Sequence, residues 1–174
     1  IKPDGSGNDL TFQLKTGLGR YWESHYIMTK GDTTGKYITI PFSDFKQPTW
    51  DVYAASMDLN AMAAFAIYIG GSDHNANSVY LDNIQVVSPL VIENADTYGG
   101  ENTLLQSKWS LNTGGDSATM SLDVANKAEG NAGMKLDYQL TASKGYAGLT
   151  KTLGGADYTG TTALKVWIKP DGTG

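Results

Sequence analysis

Apolar and polar residues alternate along most of the chain. Leu10, Phe12 and Leu14 are separated by polar residues, and the same period of two recurs in Tyr37–Ile40, Val79–Val86, Met134–Leu140 and Leu164–Ile168. This alternation is typical of strands that bury one face and expose the other. Glycine-rich turns such as Gly70-Gly71 and Gly154-Gly155 separate the stretches. The pattern therefore predicts an all-β fold, an antiparallel β-sandwich or barrel.

One stretch departs from this pattern. Met57–Tyr68 is rich in alanine and methionine, which have high helix propensity. We interpret it as a turn or short 3-10 piece around Asp58–Asn60 followed by a buried strand through Ala64–Ile69, because Gly70-Gly71 ends the stretch early.

Length and composition exclude several classes of protein. A chain of 174 residues favours one domain, and its net charge of −5 argues against nucleic acid and anionic membranes as partners. The absence of cysteine excludes disulfide scaffolds and thiolate chemistry, and two histidines are too few for a His-rich metal site. No apolar run is long enough for a transmembrane helix.

The two ends of the chain carry the same motif. Ile1–Gly7 reads IKPDGSG and Ile168–Gly174 reads IKPDGTG. We therefore expect residues 1–174 to form a single domain in permuted order, with 1–89 as the C-terminal part of the module and 90–174 as its N-terminal part. The chain would be a segment of a tandem array or a circular permutant joined near residues 88–91. Two unrelated half-domains that share a turn motif are the alternative, and a swapped dimer also remains open.

In the order 91–174 followed by 8–89, the chain resembles a known family. The matching motifs are Asn94–Tyr98, Asn126–Lys135, Gly145–Gly148, Ile38–Phe45 and Tyr80–Ile84. They resemble the family 11-like group of β-sandwich carbohydrate-binding modules that are attached to bacterial β-mannanases, cellulases and mixed-linkage β-glucanases. The resemblance implies a jelly roll that binds a glycan without cleaving it. It also implies secretion, together with a tandem module or a catalytic domain in the parent protein.

The expected ligand is a β-linked plant cell-wall polysaccharide, either β-mannan or glucomannan, or a β-1,4 or mixed-linkage glucan. Such a polymer needs flat aromatic side chains and hydrogen-bonding groups. The resemblance matches Trp50, Tyr68 and Tyr146 to aromatic residues of the concave sheet that contact ligand, and it places Tyr21, Trp22 and Glu23 beside that face. Gln13 projects opposite Phe12 and Leu14, and Arg20 and Asp51 are candidate rim contacts. For each aromatic residue the alternative is packing in the core. Lys144 stands where the family often has an acidic residue.

A structural calcium ion is the expected cofactor. Asp82 lies in the last strand of the rejoined module and Glu93 and Asp96 lie in the first, and these strands are neighbours in such sandwiches. Carboxylates that meet there, with carbonyls from residues 126–130, suit Ca²⁺. The resemblance points to the same place. The alternative is that Asp82 caps a turn and the other two are solvated.

Two other functions remain open. A jelly-roll polysaccharide lyase could use Tyr68, Tyr146, His25 and Arg20, and a purely structural or cell-surface adhesion module would need none of them. We expect a non-catalytic module, because 174 residues are already accounted for by one sandwich.

Overall fold

The computed structural model describes residues 7–53, 56–72, 76–87, 90–141 and 145–170. Most of both terminal motif copies, His74 and Lys144 lie outside these ranges. The described elements are β1 (Asp9–Thr16), β2 (Tyr21–Ile27), β3 (Lys36–Pro41), β4 (Met62–Gly70), β5 (Ala76–Val86), β6 (Leu90–Glu93), α1 (Asn102–Lys108), β7 (Trp109–Thr113), β8 (Ser117–Asp123), β9 (Gly133–Gln139), β10 (Tyr146–Ala156) and β11 (Ala163–Pro170), with 3-10 turns at Phe42–Asp44 and Ala95–Tyr98.

The strands form two antiparallel sheets. The first has the order β2-β1-β4-β10-β7, and the second has the order β3-β11-β5-β9-β8 with β6 paired to β5. Residues such as Phe12 and Phe65 from the first sheet share one core with Leu81, Leu136 and Val166 from the second. The predicted all-β sandwich is thereby confirmed.

Alternation decides which face of each strand is buried. Leu10, Phe12 and Leu14 on β1 are fully buried, and each removes apolar surface from water at a gain of about 1.5–3 kcal/mol. The alanine- and methionine-rich stretch is also a strand, since Met62–Gly70 pairs with β1 on one side and β10 on the other. Before it, Asp58 Oδ1 accepts a hydrogen bond from Asn60 N at 2.9 Å and closes a turn. Among the described residues, no helix is long and apolar enough to cross a membrane.

Candidate functional site

The outer face of the first sheet carries most of the predicted site. On β1 the residues between the core positions, Thr11, Gln13 and Lys15, point away from the core because strand side chains alternate. The register places Gln13 opposite Glu23 on β2 and opposite Ala66 on β4. Gln13 Nε2 donates a hydrogen bond to Glu23 Oε1 at 2.7 Å. The middle of the face is therefore polar and hydrogen-bonding, with a small residue beside it.

The first aromatic pair, Tyr21 and Trp50, stands on the β2 side of this polar centre. The two ring centroids are 4.9 Å apart. Trp50 belongs to a loop, not to a strand, and its side chain is 57% exposed. Asp51 fixes this loop, because its carboxylate accepts a hydrogen bond from Tyr21 N at 3.0 Å and lies 3.5 Å from Arg20 Nη1. The Tyr21 hydrogen bond and the Arg20 charge lower the pKa of Asp51 below its usual value.

The second aromatic pair, Tyr68 and Tyr146, lies on β4 and β10. Their rings meet edge to face, with centroids 5.6 Å apart and planes at 82°. Two glycines make room for them. A Cβ on Gly114 would lie 2.6 Å from Tyr146 Cε1, and a Cβ on Gly148 would collide with the Tyr68 ring. The rings of Tyr68 and Tyr146 therefore each pack directly against the backbone of a glycine in a neighbouring segment.

A groove runs between the two pairs. Its volume is about 520 Å³, and its lining consists of Thr11, Gln13, Tyr21, Glu23, Trp50, Tyr68 and Tyr146. A further cavity of about 240 Å³ shares Gln13, Tyr21 and Tyr68 with it and reaches Asn112 and Thr150. The structure thus brings six of the nine predicted ligand-binding residues into one concave surface, which offers aromatic walls with hydrogen-bonding groups between them.

Three predicted residues lie elsewhere. Trp22 is 9% exposed and belongs to the core, because it pairs with Leu14 on the inward face of β2 while Tyr21 and Glu23 point outward. The expectation that its ring lies on the ligand face is therefore wrong. Asp51 holds the Trp50 loop, and Arg20 stacks over the Tyr53 ring at 3.8 Å. Asp51 and Arg20 therefore lie at the rim of the groove, where they contact the loop that carries Trp50 and do not line the groove itself.

Three residues near this face were not predicted to bind the glycan: Asp9, Tyr53, and His25, which was a candidate only for the lyase alternative. His25 Nδ1 and Asp9 Oδ2 share a hydrogen bond of 2.6 Å at the end of the face, and Thr11 Oγ1 lies 3.2 Å from the same ring nitrogen. The alternation in β2 places His25 on the outward side with Glu23, and this signal was available in the sequence. Tyr53 is 60% exposed in a loop without periodicity, so only the structure shows its contact with Arg20.

The three predicted metal ligands separate into two places. Asp82 accepts hydrogen bonds from Ala128 N at 2.7 Å and Glu129 N at 3.4 Å, while Asp96 accepts from Ala132 N at 2.9 Å. Both carboxylates therefore face the segment 128–132. Burial raises the pKa of Asp82, and the negative charge of Asp96 adds to this effect. Within the described ranges, no group of three His, Cys, Asp or Glu side chains has the arrangement of a metal site.

Glu93 belongs instead to a buried cluster between the sheets. Its Oε2 accepts hydrogen bonds from Tyr98 Oη at 2.7 Å, from Trp109 Nε1 at 2.6 Å and from Lys151 Nζ at 2.7 Å. Its side chain is 1% exposed. Burial and the neighbouring carboxylate raise the pKa of Tyr98. Lys151 thus supplies a cation to Glu93 Oε2, whereas Glu93 Oε1 is buried without a hydrogen-bond partner among the described residues.

Comparison with known proteins gives one informative similarity. The chain is 25% identical, over an alignment 206 positions long including gaps, to a mannan endo-1,4-beta-mannosidase of Bifidobacterium adolescentis. The alignment covers the whole chain but only 20% of the mannosidase, so the chain spans about a fifth of that relative. No protein-family model matches the chain, and no solved structure gives a significant match. The chain is therefore an all-β sandwich with distant similarity to one part of a mannan-degrading enzyme.

Proposed function

We propose that the protein is a non-catalytic carbohydrate-binding module that holds a neutral β-linked polysaccharide in the groove between its two aromatic pairs. The expected ligands are β-mannan, glucomannan, or β-1,4 and mixed-linkage glucan. One observation carries the proposal. Tyr21 with Trp50 and Tyr68 with Tyr146 form two aromatic walls on either side of the Gln13–Glu23 hydrogen bond.

The chemistry of the groove fits such a ligand. A pyranose ring presents an apolar C–H face, which an aromatic ring can cover, and an edge of hydroxyl groups, which carboxylates and amides can bind. Trp50, Tyr68 and Tyr146 supply the flat surfaces, and Gln13 and Glu23 supply the polar contacts. Asp51 and Arg20 act by holding the Trp50 loop against Tyr21. Trp22 contributes to the core only.

The similarity to a mannosidase supports the same proposal. The chain matches 20% of that protein, and this share leaves room for a catalytic domain elsewhere in such an enzyme. We infer that the module belongs to a secreted polysaccharide-degrading enzyme, in which it would keep the attached glycoside hydrolase near its substrate.

Affinity electrophoresis tests the proposed function. The chain is run in native gels that contain glucomannan, galactomannan, barley β-glucan, xylan or pectin. We expect retardation by the mannans or by β-glucan, without loss of polymer viscosity, new reducing ends or ultraviolet-absorbing unsaturated products. The Trp50→Ala/Tyr68→Ala/Tyr146→Ala variant should migrate freely, whereas Trp167→Ala, on the other sheet, should be retarded like the wild type. If the triple variant were retarded as strongly as the wild type, the outer face of the first sheet would not be the glycan-binding face.

We also propose a structural Ca²⁺ ion at Asp82 and Asp96. Both carboxylates converge on the segment 128–132, and this segment wraps Asp96 so closely that a Cβ on Gly130 would collide with its carboxylate. Ca²⁺ takes carboxylate and backbone oxygens as ligands. The segment presents N–H groups to both carboxylates here, so the ion would replace some of these hydrogen bonds. Addition of Ca²⁺ to chelator-treated protein should raise the melting temperature, and Asp82→Asn should abolish this rise. A melting temperature that is independent of Ca²⁺ would refute the site.

The permuted order of the module is a further proposal. Its support is that strands of the two halves pair directly, since β10 pairs with β4 and β11 pairs with β3 and β5. A chain with residues 90–174 placed before residues 8–87 should fold to a monomer that binds the same glycan. A dimer in light scattering would instead support exchange of halves between chains. An unfolded product would refute the permuted order.

A further inference from the structure

The ligand face extends beyond the edge strand β2. Lys46, in the segment that follows the 3-10 turn, forms an isolated antiparallel bridge with Glu23. Glu23 N donates to Lys46 O at 2.7 Å, and Lys46 N donates to Glu23 O at 2.8 Å. Residues that oppose each other directly in an antiparallel pair point to the same face. Lys46 therefore adds one more position to the row that contains Glu23, Gln13 and Ala66.

A separate cavity lies above this added position. Its volume is about 360 Å³, and Glu23, His25, Lys46, Gln47 and Trp50 are part of its lining. Glu23 and Trp50 also line the main groove, so the two cavities are adjacent and share these two residues. His25, Lys46 and Gln47 line this cavity but not the main groove. Substitutions at these three positions therefore alter the lining of this cavity without altering the lining of the main groove.

The lining of this cavity suits another sugar unit. Lys46 Nζ donates a hydrogen bond to Ser43 O at 2.8 Å, and an ammonium group has two further hydrogens that can bind hydroxyl oxygens. The His25 ring can also bind hydroxyl groups, Glu23 can accept from them, and Trp50 offers an exposed ring. The lining holds two carboxylates, Glu23 and Asp44, and one ammonium group, Lys46, so its net negative charge disfavours a uronic acid. The preferred occupant is therefore a neutral hexopyranose.

The spacing of the row also fits a continuing glycan. Neighbouring strands lie about 4.8 Å apart, which is close to the length of one β-1,4-linked hexose unit. A linear glycan that crosses the strands along this row advances by about one hexose unit per strand. The bridge at Lys46 extends the row by one strand position, which leaves space for one more hexose unit.

We propose that the cavity between Trp50 and His25 is an additional subsite for one neutral hexose, beyond the edge of the sheet and next to the main groove. The proposal rests on the proposed function, since it extends the same ligand. The sugar would be the next unit of the main chain or a single-sugar branch, which present the same chemistry to the cavity.

Calorimetric titration of the chain with manno-oligosaccharides and cello-oligosaccharides, from disaccharide to hexasaccharide, tests the subsite. Lys46→Ala and His25→Ala should each bind the shorter oligosaccharides like the wild type. Both should lose about threefold to tenfold in affinity for the longer ones, as expected for one hydrogen-bonding contact. Lys30→Ala, an exposed lysine outside the groove, is the matched control. If only galactosyl-branched manno-oligosaccharides show the loss, the cavity binds a branch.

Two outcomes would overturn the inference in distinguishable ways. If both variants match the wild type at every length and with branched ligands, the subsite does not exist while the main groove stands. If the wild-type chain binds none of the oligosaccharides and is not retarded by any polysaccharide, the proposed function itself fails and the subsite fails with it.

Discussion

Substitution of Gly114 by alanine should weaken glycan binding although Gly114 lies outside the groove lining. A Cβ at this position would lie 2.6 Å from Cε1 and 2.7 Å from Cδ1 of Tyr146, which is too close for either atom to stay in place. The nearest atoms all belong to the Tyr146 ring, and the Gly114 backbone does not have the positive φ that would strain an alanine. The ring must therefore move, and the strand backbone can stay.

The cost follows from what the Tyr146 ring contributes. Its displacement breaks the edge-to-face contact with Tyr68, which is worth about 0.5–1.5 kcal/mol, and it removes one platform from the groove. A well-packed aromatic contact residue typically contributes at least 1 kcal/mol to binding, so a loss of about 1–2 kcal/mol corresponds to about 5–30-fold weaker affinity.

Calorimetric titration with glucomannan measures this effect, and a double-mutant cycle isolates its cause. In a Tyr146→Ala background the added Gly114→Ala change should be neutral, because no ring remains to be displaced. Thermal unfolding of Gly114→Ala should show a loss of stability no larger than that of the Tyr68–Tyr146 contact, about 0.5–1.5 kcal/mol, so that the variant stays folded. Undiminished affinity of the single variant, or an equal loss in both backgrounds, would refute the reasoning.

Three further predictions concern the loop, its acid sensitivity and the core. Trp50→Ala should weaken glucomannan binding in calorimetry by about 1–3 kcal/mol, and Trp50→Phe should restore part of it; equal affinities would contradict the platform role. Because the pKa of Asp51 is lowered in the folded protein, its contribution to holding the loop is complete above the unfolded value of 3.8 and disappears as the pH falls through the folded pKa. Asp51→Asn removes the charge but keeps an oxygen that can accept from Tyr21 N, so the acid transition of the loop should be absent from this variant. The Trp50 signal is the difference in fluorescence between each chain and its Trp50→Phe form, and an acid transition identical to the wild type would contradict the prediction. Lys151→Ala leaves Glu93 buried without its cation, so urea unfolding should show a loss of about 3 kcal/mol, and a loss below about 1 kcal/mol would contradict it.

The sequence predicts the parts of the fold that depend on local alternation of apolar and polar residues. The stretches Leu10–Lys15, Met134–Gln139 and Leu164–Ile168 lie in strands with the expected buried faces, because the period of two is a property of the strand itself. The short helix Asn102–Lys108 was not predicted. Its seven residues carry too little periodicity to be distinguished from a loop.

The candidate site was predictable only in part, because it depends on register and on contacts between distant segments. Tyr21 and Trp22 are adjacent, so one had to face inward, and the pairing of Trp22 with Leu14 shows that it is Trp22. Gly114 under Tyr146 and the bridge from Lys46 to Glu23 join segments more than 20 residues apart, and neither leaves a local pattern. Likewise, Glu93 and Asp96 are three residues apart in sequence but face different partners.

Chemical-shift mapping tests the central claim most directly. The ¹⁵N-labelled chain is titrated with mannohexaose and, separately, with cellohexaose. We predict that at least one of them shifts the signals of Gln13, Glu23, Tyr68 and Tyr146 on the outer face of the first sheet, together with the indole N–H of Trp50, while Lys165 and Trp167 on the second sheet stay unchanged. Shifts confined to the second sheet, or no shifts with either sugar, would contradict the account.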